Sequence, residues 1–442
     1  EVQADPIVYL EGGPGGSGVT TMSMLYPGLG GWIGARDLIA LDQRGTGHSI
    51  PDLSCTDGSL YADTDAIEDE LDFLTQCRAG LEGQGVDLPA YNSARNAADV
   101  DALRRALGYA QWNLWGISYG TRLALTVMRD FPAGVRAVIL DSTVPLEVNL
   151  YERMPANAQG AFERLFATCV ADAACAAAYP DLMDVLLAAL DDLDASPFQG
   201  TLTGGVSVDI DGSAVLDLLF SLMYDYTSLP YLPGLIYMVS DRDMSVILEV
   251  LESLTAIESG ISVGMFLSVN CAEELAWVDP ATFEEATQGL MPRFISHFGY
   301  DSEQEFCEVW GVPAASDLET RPVESDIPTV VMAGYFDPIT PPEYGQMVRE
   351  NLSSAFYLEF SNGSHGVSVS DCGAELALAF LDQPNAQPIS ACLDNLTFGP
   401  FFASGGSGVG RIDFAMPGDD IHFDPEALRN ALRNRRNRLP HF

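Results

Sequence analysis

The stretch Trp112-Asn-Leu-Trp-Gly-Ile-Ser-Tyr-Gly120 constrains this chain more than any other. Trp112 to Trp115 is a short apolar run of strand character, and Thr121 to Phe131 has the apolar spacing of a helix that stops at Pro132. Between them, Gly116-Ile117-Ser118-Tyr119-Gly120 matches G-x-S-x-G. A serine on so sharp a strand-to-helix turn has a strained backbone. The residues two before and two after it must be small, or their side chains collide. The helix that follows also points its positive end at the serine, which favours negative charge developing there. The bare pattern recurs by chance. A buried strand before it and an apolar-periodic helix after it make Ser118 a candidate nucleophile.

The rest of the chain supplies a frame for such a turn. Pro6 to Leu10, Asp37 to Leu41 and Val135 to Leu140 read as buried strands, and Ser93 to Leu107 as a helix ended by Gly108. Residues 50–92 read as a long irregular stretch. Continuous apolar strands alternating with helices imply an α/β fold, with a mostly parallel sheet covered on both faces. From about residue 146 the rhythm changes to helical patterns over 160–170, 181–194, 213–223, 243–258 and 281–297. It returns at Ile327 to Ala333, followed by a helix over 342–351, a strand over 355–360 and a helix over 366–381. The expected layout is a first core part over 1–145, a mainly helical inserted cap over 146–320, a second core part over 321–395, and an extension of unassigned role over 396–442. A core strand only a few residues from Glu1 is an abrupt start. The sequence is therefore expected to lack a leader and one or two opening strands.

A serine nucleophile needs a base. The five histidines are His48, His297, His365, His422 and His441. Only His365, in Gly363-Ser-His-Gly366, follows a late core strand. In hydrolases with such a serine turn the acid lies between serine and histidine in the chain. Asp337, just past the strand Ile327 to Ala333, fits that place. Asp326 is the alternative, but it lies before the strand and so at the other end of the sheet. Asp337 would accept the Nδ1 hydrogen of His365 and leave Nε2 to take the serine proton. Backbone amides would stabilise the oxyanion: that of Tyr119, after the serine, and one from Gly12-Gly13-Pro14-Gly15-Gly16, with Gly13 as the candidate. A phosphate-cradling role for that loop is disfavoured, because no G-K-[ST] follows and no basic residue precedes Arg36.

Taken together, GGPGGSG, DQRGTGHS, WNLWGISYGT, AGYFDPITPP and SHGV resemble the prolyl aminopeptidase and tripeptidyl aminopeptidase family of α/β-hydrolase-fold serine peptidases, in order and spacing, over roughly residues 5 to 395. The late section, with cysteines around the His365 segment, is similar to exported members with a tripeptidyl-aminopeptidase-like C-terminal region. The resemblance implies an α/β-hydrolase fold. It also implies cleavage of residues from the free N-terminus of peptides through an acyl-enzyme, with no metal or other cofactor. One departure is Glu11, where many members of the fold have histidine; the backbone does the work at that position. The family holds the substrate ammonium with cap carboxylates. Cys271-Ala-Glu273-Glu274 resembles its cysteine-x-glutamate segment, which makes Glu273 the first candidate for amine binding and Glu274 the second. The competing reading is a solvated acidic pair in a very acidic protein.

Composition narrows the partners. The net charge is −42, from 63 acidic against 21 basic residues, and every basic residue is arginine. Such a surface repels nucleic acid and anionic lipid. Adaptation to salt and the codon bias of a GC-rich genome both account for it. No apolar run reaches the length of a membrane-spanning helix, so no membrane insertion is expected. Eight cysteines without a C-x-x-C pair or zinc-like histidine spacing suggest disulfides and an oxidising compartment, secreted or cell-envelope, although buried free thiols would also fit. The simplest pairing is sequential: 55–77, 169–175, 271–307 and 372–392. The expected activity is aminopeptidase. A carboxylesterase acting on small esters is the alternative, and an inactive binding module is disfavoured by the intact set of residues.

Overall fold

The computed structural model describes residues 5–32, 34, 36–56, 70–202, 205, 207–257 and 260–401. Eight strands lie among them: β1 (Ile7–Leu10), β2 (Leu38–Ala40), β3 (Trp112–Ile117), β4 (Val135–Asp141), β5 (Phe198–Thr201), β6 (Ser207–Ile210), β7 (Thr329–Gly334) and β8 (Ala355–Phe360). Six of them form one sheet in the order β2-β1-β3-β4-β7-β8, and every pair in it is parallel. The central strands β1 and β7 are buried at every residue, whereas β2 and β8, at the two edges, are only partly buried. This is why the central strands read as unbroken apolar runs.

Alternate residues serve opposite faces of the sheet. Val8, Leu10, Leu114, Val138 and Leu140 join one apolar cluster. Ile7, Tyr9, Trp115, Ile139 and Met332 join another on the far side, where Trp32 stacks on Trp115 at 3.9 Å between ring centroids. A third cluster lies apart from the sheet faces. It is built from helices Leu150–Ala171, Leu182–Ala195, Gly212–Met223, Leu232–Ser240 and Ser245–Ile257, with Phe294, Phe298 and Phe336. Met265, Phe266, Phe306 and Trp310 instead pack with the sheet cluster. The stretch read as one inserted cap thus divides its apolar side chains between two clusters.

Several elements differ from the sequence reading. Residues 50–92 contain the helix Glu70–Gly83, a helix starts at Gly18 behind the glycine loop, and the cap contains the hairpin β5–β6. The helix expected over 281–297 is two, Pro280–Ala286 and Pro292–His297, parted by Gly289 at φ +84 and started anew by Pro292. The helix expected from Gly366 begins at Asp371, where the Ser370 side chain caps it. Of the extension, residues 396–401 are described, and Phe398 and Phe401 pack against the cap cluster; the remainder lies outside the described residues.

All four disulfides are sequential, Cys55–Cys77, Cys169–Cys175, Cys271–Cys307 and Cys372–Cys392, and no cysteine is free. Cys271–Cys307 ties together two helices that pack on the sheet cluster and closes the longest of the four loops, with a sequence separation of 36. Replacing both cysteines by alanine is expected to cost about 2–4 kcal/mol, chiefly by freeing the unfolded chain. Calorimetry should show the melting temperature fall by roughly 2–4 °C, with activity at room temperature retained.

Candidate active site

In a parallel sheet all the strands end on one edge, so residues just past each strand gather there. Ser118 follows β3, Asp141 ends β4, Asp337 follows β7 and His365 follows β8. Ser118 has φ +57 and ψ −127 and caps the helix Tyr119–Asp130. That region is costly for a residue with a side chain. The expected steric rule holds in numbers. A Cβ on Gly116 would stand 2.3 Å from the carbonyl oxygen of Gly120, and one on Gly120 would stand 2.0 Å from that of Leu10.

His365 Nδ1 and Asp337 Oδ2 are 2.9 Å apart. Asp337 is fully buried. Its Oδ1 accepts the amides of Ile339 and Thr340, and its Oδ2 also accepts the Thr340 hydroxyl at 2.7 Å. Burial opposes its charge, but the His365 imidazole and these donors outweigh burial and hold the carboxyl below its usual range. Burial likewise opposes a charged imidazole, yet Asp337 overrides it and Asp141 adds to the effect, so His365 sits above the usual histidine range. With Nδ1 committed to Asp337, Nε2 is the nitrogen left for a serine proton.

No hydrogen bond joins Ser118 Oγ to the imidazole among the described residues. Their neighbours are close: a Cβ added to Gly366 would lie 3.7 Å from Ile117 Cγ2. Such bonds are often long in unliganded enzymes and tighten when substrate binds. The loop beside Ser118 is the glycine turn, where a Cβ on Gly12 would lie 3.1 Å from Ser118 Cβ. The Gly12 amide is occupied, donating to Glu11 Oε1 at 2.9 Å. Among the described residues, the amides of Gly13, at φ +108, and of Tyr119 donate to no acceptor in the chain. Those two amides are free to receive an oxyanion.

Glu273 and Glu274 require a correction. Both are buried and paired with Arg122, whose Nε is 3.1 Å from Glu273 Oε2 and whose Nη1 is 2.8 Å from Glu274 Oε1. Glu273 also accepts the amide and hydroxyl of Ser93, each at 2.6 Å, and Glu274 accepts the amide of Leu150 at 2.9 Å. Burial pushes Glu274 up to about 7, against the pull of Arg122. Carboxylates engaged in this way brace the helix behind Ser118 and present no oxygen to a substrate amine. Arg122→Ala would strand two buried carboxylates and is expected to cost about 3–5 kcal/mol, seen as a lower melting temperature. Glu273→Gln should destabilise the fold without changing the preference between free and blocked N-termini.

Sequence reasoning missed Thr340 and Asp141, and it weighed Tyr224 as a pocket residue only to favour core packing. Tyr224, at the end of a cap helix, stands edge-on to the imidazole at 4.9 Å between centroids, and its carbonyl accepts the His365 amide. Thr340 holds the Asp337 carboxylate, and the Thr-Pro-Pro context gave only a turn signal. Asp141 is a polar residue ending an apolar strand, a placement that could have drawn attention to it.

Known proteins resemble the chain in sequence. Residues 5–181 match the family model described as alpha/beta hydrolase fold, and residues 292–392 match that of the TAP-like protein family. The Serine protease Hip1 of Mycobacterium tuberculosis is 26% identical over 425 residues, covering 87% of this chain and 80% of its own. The tripeptidyl aminopeptidase of Streptomyces coelicolor is 32% identical over 152 residues, 31% of this chain and 28% of its own. Carboxylesterase B of Mycobacterium tuberculosis is 27% identical over 373 residues, 78% of this chain and 71% of its own. With the parallel sheet, the serine turn and both family segments in one chain, this protein is a hydrolase of the α/β-hydrolase fold that carries a TAP-like segment over residues 292–392.

Proposed function

We propose that this chain is a serine aminopeptidase working through an acyl-enzyme, with Ser118 as nucleophile, His365 as general base and Asp337 as the acid that orients the histidine. The observation that carries the reading is the pairing of His365 with the fully buried Asp337 at the sheet edge where Ser118 takes its strained turn. Ser118 Oγ attacks the peptide carbonyl as Nε2 takes its proton. The oxyanion is received by the Gly13 and Tyr119 amides. His365 then protonates the leaving amine, and water, deprotonated in turn by His365, releases the acyl group. The sequences of Hip1 and the Streptomyces tripeptidyl aminopeptidase support peptide over ester as substrate. Carboxylesterase B supports the second reading, small esters hydrolysed by the same residues.

Four disulfides and the likeness to Hip1 support work outside the cytoplasm, in an oxidising compartment. Among the described residues, no helix is long and apolar enough to cross a membrane. The test compares a peptide anilide with a free N-terminus against its N-acetylated form. Acetylation is expected to lower kcat/KM by at least about 100-fold, the scale of losing a charge-assisted contact to the substrate ammonium from a group other than Glu273 and Glu274. Equal rates on the two substrates would favour the esterase reading.

A further inference from the structure

Asp141 is a buried carboxylate that the reaction above does not use. It ends β4, between the strand that leads to Ser118 and the strand that leads to Asp337. Its carbonyl accepts the Ser118 amide at 3.0 Å. Its side chain reaches the other way. Oδ1 accepts the amide of Val367 at 3.1 Å, and Oδ2 accepts that of Ser368 at 2.6 Å. The next residue, Ser142, at φ +56, accepts the Gly366 amide on its hydroxyl at 2.9 Å. Ser368 is fixed in turn by Trp115 Nε1, which donates to its hydroxyl at 2.9 Å. Three successive amides after His365 therefore end on two successive residues, the last of β4 and the one after it, and the first of those two also holds the backbone of Ser118.

We propose that Asp141 is a positioning residue that sets the distance between nucleophile and base, its carbonyl holding the serine turn and its carboxylate holding the histidine turn. The proposal rests on the Ser118–His365 reading above. A carboxylate suits the task because it offers two acceptors and no donor to two converging N–H groups. Glutamate would overreach by a methylene, and asparagine would turn a donor toward one of the amides. Burial lifts the Asp141 carboxyl to about 6, so at pH 7 and above it is the charged acceptor.

The groups facing the imidazole are Asp337 from the turn after β7, Asp141 from β4 and Tyr224 from the cap. Tyr9 on β1 faces Asp141 and is kept neutral by burial. Of these, Asp337 and Asp141 supply negative charge to the imidazole. Removing the Asp141 charge therefore makes the imidazolium less stable, and the acid limb of kcat/KM must move to lower pH.

The experiment measures Asp141→Asn, Ser142→Ala, Ser118→Ala and wild type on p-nitrophenyl butyrate and on a free peptide anilide. Enzyme concentration is set by fluorophosphonate titration where the serine is present. For Asp141→Asn, kcat should fall by about 30- to 100-fold with KM within about twofold, and the acid limb should shift down by about half a pH unit or more. Ser142→Ala should lose about three- to tenfold in kcat with the limb unmoved. If Asp141→Asn yields no folded protein, Ser142→Ala carries the test alone. Unchanged kcat per titrated site in whichever of the two folds, or an unmoved acid limb in Asp141→Asn, overturns the proposal while leaving the Ser118 reading intact. Activity surviving in Ser118→Ala overturns both.

Discussion

Ser118→Ala is expected to lower kcat by roughly 10⁵- to 10⁶-fold while leaving a folded, substrate-binding protein. The size follows from what is lost. Alanine removes the only atom that can form the acyl-enzyme, and neither His365 nor the two free amides can substitute for it. What remains is binding plus oxyanion stabilisation of a direct attack by water. Folding should survive, because the strain at φ +57 belongs to the backbone, and alanine bears it without a larger side chain. A burst of released product on chromogenic substrates, expected in wild type, should vanish. Residual activity within 100-fold of wild type would place the nucleophile elsewhere.

Asp337→Asn should cost roughly 10⁴-fold in kcat through a different route, by analogy with the same exchange in a serine protease. Asparagine fits the same space, so the amides of Ile339 and Thr340 can keep their acceptor on its oxygen. Its amide nitrogen, however, would donate to His365 Nδ1 and fix the proton on Nε2, the wrong nitrogen for accepting one from serine. The pH profile adds a signature. In wild type the imidazole is held above the ordinary histidine range, chiefly by Asp337 against burial. Its protonated form is therefore favoured in the fold, and activity rises as pH climbs through that elevated value. Without the carboxylate, the residual activity should keep an acid limb at lower pH. Alkaline conditions should not restore the wild-type rate, because the fault is in the tautomer. Full recovery at high pH would show that Asp337 acts only as a charge.

Much of this site could be read from one sequence because its constraints are local. A strand, a tight turn and a helix in a row announce Ser118, and only glycine fits at 116 and 120, where an added Cβ would overlap backbone oxygens at 2.3 and 2.0 Å. His365 and Asp337 were legible through exclusion, there being few histidines and one turn in the right order. The disulfides followed from adjacency. What stayed hidden was long-range. Glu273 and Glu274 look like any acidic pair, and only the fold reveals that Arg122, roughly 150 positions away, satisfies both. The helix Glu70–Gly83 has weak apolar periodicity, with three buried residues in fourteen, so it read as irregular. The hairpin β5–β6 is half exposed and short, and no alternation of that length stands out among helices.

The histidine turn is sewn to the cap as well as to the sheet: the His365 amide donates to the carbonyl of Tyr224, and the Ser364 hydroxyl to that of Met223. Any lid-like swing of the upper helices that included residues 223 and 224 would drag the imidazole with it, so a hinge compatible with turnover has to lie beyond them. The same holds for grafting. A lid exchanged in from a relative to alter substrate choice must deliver two carbonyl oxygens to the same spots, or the recipient will lose rate before it gains any new selectivity.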